Sequence, residues 1–89
     1  MLELAELESQ LQKEGFQHTY TWEDGPEVFY PDHTHNEPTA HVILSGEMTL
    51  VMNGDSKTYY PGDRCDVPPG VVHSALMGPK GCRYLIGEK

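Results

Sequence analysis

The spacing of hydrophobic residues along this chain changes once, at Gly15. Before it, Leu4, Leu7 and Leu11 recur at three- and four-residue intervals with Glu3, Glu6 and Glu8 between them. That pattern predicts a helix over residues 2–14, with Gly15 placed to end it. So short a helix is marginal alone, and its leucine stripe must dock on the rest of the domain or on a second subunit. After Gly15 the period becomes two: Phe16, His18, Tyr20 and Trp22 alternate with Gln17, Thr19, Thr21 and Glu23, a mixture that favours a strand. Asp24-Gly25-Pro26 reads as a turn, Val28–Tyr30 as a short strand, and Val42–Ser45 as a strand entered from a polar loop. Met48, Leu50 and Met52 alternate with Thr49 and Val51, Asn53-Gly54 is a hairpin turn, and Lys57–Tyr60 is the returning strand. Further strands are expected through Val67, from Val71 to Met77 and from Cys82 to Ile86. Turns at Pro61-Gly62-Asp63, Pro68-Pro69-Gly70 and Gly78-Pro79-Lys80-Gly81 separate them. Many short strands at even spacing predict a small all-β sandwich or barrel.

Length and charge narrow this picture. At 89 residues the chain makes one domain, with a helix over 1–15 and the β part over 16–89. A net charge of −8 argues against nucleic acid and against an anionic membrane surface, both of which would repel it. No run of about 18 apolar residues is present, and the acidic start MLELAELESQ lacks the basic and apolar regions of a signal peptide, so the cytoplasm is the expected location. Cys65 and Cys82 are too few and too far apart for a disulfide framework or a cysteine zinc site, and read as reduced thiols packed as small hydrophobes.

The candidate chemistry lies in histidines. His33, His35 and His41 fall with Glu37 just before and within the Val42–Ser45 run, and His73 follows the Pro68-Pro69-Gly70 turn. His33 and His35 are two apart, so on an extended chain they point to one face. Imidazoles there suit a transition-metal ion. His18 reads as an ordinary strand residue.

Two motifs carry a family resemblance. Gly62, five residues, Pro68-Pro69-Gly70, two residues and His73 reproduce the second cupin motif without a mismatch, apart from Met77 at the place of its trailing asparagine. His33-x-His35 and Gly46 match the first motif, and the fifteen residues from Glu47 to Pro61 are about the shortest spacing found between the two. Over residues 27–86 the sequence resembles a small single-domain cupin. The resemblance implies an all-β, double-stranded β-helix or jelly-roll barrel of the RmlC-like kind, with a short N-terminal α-helix here. It also implies that His33, His35 and His73 converge on a divalent metal ion: iron, zinc, nickel or manganese. Two positions depart from the motif: Glu27 replaces a glycine, and Thr39 stands where the carboxylate ligand is expected. Three groups compete for the place that Thr39 leaves. His41, two residues further on, points to the same face one step deeper; Glu37 would reach it by folding back over the mouth; water is the third.

What such a site implies is a metal-dependent enzyme acting on a small polar metabolite, as a dioxygenase with three histidines or as an isomerase or lyase. The alternative is a non-catalytic metal- or ligand-binding module that senses or assembles. Tyr30, Tyr60, Arg64, Asp66, Arg83 and Tyr84 are candidate pocket residues. Arg83 is the cation suited to a carboxylate, with a surface ion pair as its competing role, and Asp63 is expected to cap its turn. The helix stripe and the outer positions Val42, Leu44, Thr49 and Val51 leave two apolar patches, which predict a homodimer.

Overall fold

The computed structural model describes residues 3–89, so the predicted helix start at residue 2 lies outside the described residues. One helix, α1 (Leu4–Lys13), precedes six strands: β1 (His18–Asp24), β2 (Phe29–His33), β3 (Thr39–Met52), β4 (Asp55–Tyr59), β5 (Arg64–Val67) and β6 (His73–Glu88). All β-pairings are antiparallel.

Two long strands organise the fold. Residues 39–46 of β3 pair with 82–88 of β6, flanked by β5 and β1, while 48–52 of β3 pair with 73–77 of β6, flanked by β4 and β2. Each half is a four-stranded sheet, and the halves face each other as in a jelly roll. The separate strands expected at 42–45 and 48–52 are therefore one strand, as are those at 71–77 and 82–86. Gly78-Pro79-Lys80-Gly81 is a bend within β6 rather than a chain reversal. Register shifts between Ile43 and Ser45 and between Gly46 and Met48 mark that bend. They also reverse the alternation, so Thr39, His41 and Ile43 face inward before the bend and Met48 and Leu50 after it. Asn53 and Gly54 both take positive φ, at 55° and 80°, as a two-residue hairpin of the predicted kind requires. Glu27, at the place of the motif glycine, is itself left-handed at φ 59°.

The helix docks on its own barrel. Leu11 is fully buried with Phe16, Ala40, Val42 and Leu85, and Leu4, Leu7 and Leu44 pack against them. Burying one such leucine stabilises by about 1.5–3 kcal/mol, more than a ten-residue helix gains from propensity. The chain leaves the helix through a Schellman turn: Gly15 N–H donates to Gln12 O and Phe16 N–H to Leu11 O, each at 3.0 Å. Arg64 on β5 then clamps the helix end, donating two hydrogen bonds to Glu14 at 2.7 and 2.9 Å while also holding Asp66.

That clamp makes the fold acid-sensitive in a defined window. The hydrogen bonds from Arg64 hold the Glu14 carboxyl down at about 2 against an ordinary 4.5. A depressed folded-state pKa contributes stability that is complete above about 4.5 and is lost as pH falls towards about 2. Urea midpoints of the wild type should therefore decline more steeply over that interval than those of Arg64→Met. Parallel curves would show that the clamp contributes nothing measurable, as many exposed ion pairs do.

Candidate metal centre

Histidines from two distant stretches, His33 and His35 on one and His73 on the other, meet in the cavity between the half-sheets. His33 closes β2 and is the cross-strand partner of His73, which opens β6 and is itself paired on its other side with Met52 of β3. His35 lies in the loop just after β2, and the Gly70 N–H of the Pro68-Pro69-Gly70 turn donates to its carbonyl at 2.9 Å. The turn of the second motif thus fastens the loop of the first. Ring centroids are 4.2 Å apart for His33 and His73, 4.8 Å for His35 and His73, and 5.0 Å for His33 and His35.

The hydrogen bonds select a tautomer. His33 Nδ1 lies 2.7 Å from Pro31 O, and His73 Nδ1 lies 3.0 Å from Val71 O. A carbonyl only accepts, so each Nδ1 carries the proton and each Nε2 lone pair is left for another partner. Such a backbone contact is the usual orienting device behind a metal-bound imidazole. One ligand atom from each histidine falls within 4.8 Å of the others. Nitrogens sharing an ion at about 2.0–2.1 Å stand roughly 3–4 Å apart, so small rotations bring the set together. Burial, then repulsion from His73 and His33, pushes the His35 pKa down. The neutral form this favours is the one that binds a metal.

His41 occupies the same cavity but lies outside that three-histidine group. Burial, followed by the charges of His35 and His73, lowers it to about 4; a nearby Cys65 backbone group opposes the shift only in part. Its Nδ1 and the Thr39 hydroxyl are buried without a hydrogen-bond partner. Glu37 is exposed and lines a shallower recess beside His35, shared with Thr39 and Glu88. His18 is exposed at the start of β1 and does not line the cavity.

The cavity has a volume of about 270 Å³. Its described lining holds no Lys or Arg. Tyr30 and Tyr84 line it as expected, whereas Arg83, Tyr60 and Asp66 are exposed and Arg64 is engaged at the helix end. Asp63 caps its turn, accepting the Tyr60 N–H at 2.9 Å.

Two acids that sequence reading passed over hold the cavity walls. Asp24, taken there for a turn residue, is buried at the end of β1. It accepts from Trp22 Nε1 at 3.1 Å and from the Tyr30 and Tyr84 hydroxyls at 2.8 and 2.7 Å. Burial and this carboxylate push both phenols upward, keeping them protonated donors. Glu88, on the last strand, accepts the Tyr20 hydroxyl at 3.0 Å. The signal for both was the period-two phase: Asp24 follows Tyr20 and Trp22, and Glu88 follows Tyr84 and Ile86, on the inward face.

No protein-family model matches this sequence, and no curated protein does. Solved structures do match its fold. DMSP lyase DddQ from Ruegeria pomeroyi DSS-3 superposes with a TM-score of 0.73 at 25% identity, covering 80% of this chain and 36% of that one. An RmlC-like cupin from Shewanella frigidimarina NCIMB 400 gives 0.71 at 23% identity, over 79% and 62%. Bacillus subtilis oxalate decarboxylase, described with Mn(II) centres, gives 0.71 at 20% identity, over 80% and 20%. The chain therefore spans about a third of the length of the lyase and a fifth of the decarboxylase.

Proposed function

Taking as premise that the chain is a small cupin by fold, we propose that it is a metal-dependent enzyme acting on a small carboxylate-bearing metabolite by lyase-type chemistry. The observation that carries this reading is the convergence of His33, His35 and His73, two of them with Nδ1 tied to a backbone carbonyl and Nε2 free. These three would hold a divalent ion, which would act as a Lewis acid on a bound oxygen and lower the pKa of a bound water.

The remaining residues bear on substrate class. A cavity of about 270 Å³ falls below the roughly 300–1,000 Å³ of pockets for drug-sized ligands, so the ligand is small. With no Lys or Arg in the wall, a substrate anion has the metal as its counter-charge. His41 Nδ1 and Thr39 Oγ1, both without partners, are free to bind or orient it. Met48, Leu50 and Met77 give the cavity a buried apolar wall. Fold neighbours with lyase and decarboxylase activities support lyase-type chemistry over the dioxygenase alternative.

Metal content of protein purified without a polyhistidine tag, followed by turnover of a panel of small carboxylic acids with iron, manganese, nickel and zinc, tests the proposal. Stoichiometric metal with neither turnover nor binding of any acid would leave the non-catalytic module as the better reading.

A homodimer and a cytoplasmic location complete the proposal. The outer face of the second half-sheet leaves Phe29 at 58%, Leu76 at 45% and Val51 at 40% exposure, whereas α1 covers the corresponding face of the first. Pairing through the open face would cover that patch. Sedimentation giving only a 10.0 kDa species at micromolar concentration would refute the dimer. The buried free thiols of Cys65 and Cys82 suit a reducing compartment.

A further inference from the structure

Thr39 stands seven positions before Gly46, where the first motif calls for a carboxylate, and its hydroxyl finds no partner. Directly opposite it in the ladder between β3 and β6 is Glu88. Opposed residues share a face of the sheet, with Cβ atoms about 4.5–5.5 Å apart. Both line the main cavity with the three histidines, and both line the recess beside His35.

We propose that Glu88 is the carboxylate of this metal centre, delivered from the neighbouring strand, and that it joins His33, His35 and His73 as the fourth protein donor. This rests on the reading that the three histidines hold a metal.

Three observations carry it. Glu88 lies in the ladder between His18 of β1 and Thr39 of β3, so its backbone is fixed from both sides. Tyr20 donates to Oε2 at 3.0 Å, a contact that orients the carboxylate and leaves Oε1 uncommitted. The rival carboxylate is less well placed, since Glu37 is exposed and borders only the recess, whereas Glu88 lines the main cavity as well.

The substitution is a transposition. The place that the motif gives to a carboxylate on β3 is held here by Thr39, and the space beside it is reached from the adjacent strand. Three imidazoles and one carboxylate form an N₃O donor set that suits iron, manganese or zinc and lowers the net charge of the loaded centre from +2 to +1. Thr39 Oγ1 is then free to donate to an oxygen bound beside Glu88.

Competition of Mn²⁺ and Co²⁺ with a chromogenic chelator tests this on the full chain, with apo-protein melting as the fold control. Glu88→Gln should weaken both ions by about 10–100-fold, the scale at which even an outer-shell carboxylate acts, while Glu37→Gln leaves them unchanged. Returning the carboxylate to β3 in the double variant Thr39→Glu/Glu88→Gln should restore most of the affinity. Wild-type affinity in Glu88→Gln, with affinity lost in His73→Ala, overturns the assignment of Glu88 and spares the histidine site. Wild-type affinity in both variants overturns both.

Discussion

His73→Ala is expected to abolish metal retention, whereas His18→Ala leaves it intact. His73 is the histidine with the least freedom to be replaced. It is buried, held in register by β2 and by β3, and oriented through the 3.0 Å contact of Nδ1 with Val71 O. Its partner across the ladder is His33, so the imidazoles left beside the proposed Glu88 carboxylate would be His33 and His35, on a single chain segment and only partly buried. Two imidazoles bind a divalent ion far more weakly than three. The loss should exceed the about 10–100-fold caused by removing a partner behind a ligand. Dialysis against a weak chelator followed by elemental analysis measures it. Equal retention in the His73 and His18 variants would sink the site.

Gly46→Ala is expected to cost the fold about 3 kcal/mol or more. Gly46 has φ 76° at the bend of β3, a conformation that costs a residue with a side chain about 1–2 kcal/mol. An added Cβ would also run into the Gly81 carbonyl oxygen and approach Cys82 Cα to 3.0 Å. These are backbone atoms, and they have no room to retreat, because Gly81 is itself at φ 79° against the Asp24 carbonyl. Gly54→Ala supplies the control: φ is 80° there too, but nothing stands within 4 Å of the new carbon. The difference between the two urea-derived stabilities isolates the contact, and at 4–8 °C per kcal/mol the Gly46 variant should melt about 12 °C or more below wild type. Equal losses would show that the close approach of the two strands does not matter.

Much of this was legible in local spacing. Residues two apart on an extended chain point the same way, and the His33 and His35 rings lie 5.0 Å apart although His35 sits in the loop beyond β2, where the Pro-rich turn before His73 bonds to it. Val42, Leu44, Thr49 and Val51 lie on the outer faces, with a change of parity where the hydrophobic pattern skips at Gly46, but the helix stripe covers Val42 and Leu44, so one exposed patch remains instead of the two expected. What spacing could not convey was continuity and partnership. Glycine and proline at 78–81 carry the same turn signal whether a strand reverses or merely bends, and the outcome depends on the β3 segment lying alongside. Asp24, Glu88 and Arg64 owe their roles to partners 60, 68 and 50 residues away, which no window of sequence contains. Arg83, attractive as a lone cation, has outward phase next to Tyr84, and the same alternation rule that found the histidines excludes it from the cavity.

The sharing of β3 and β6 between the two half-sheets also dictates an order of events during synthesis. Among the described residues β1 and β2 pair only with β6, so these two strands have no strand to join until residues 73–88 have been made. Only the hairpin of β3 and β4, with β5 beside it, can form early from neighbouring sequence. Closure then waits on pairings across forty residues or more, the kind of non-local step that slows folding. His33 and His35 meet His73 in that same step, so a metal ion held by all three would bind only after the barrel has closed and would add to the barrier against its reopening.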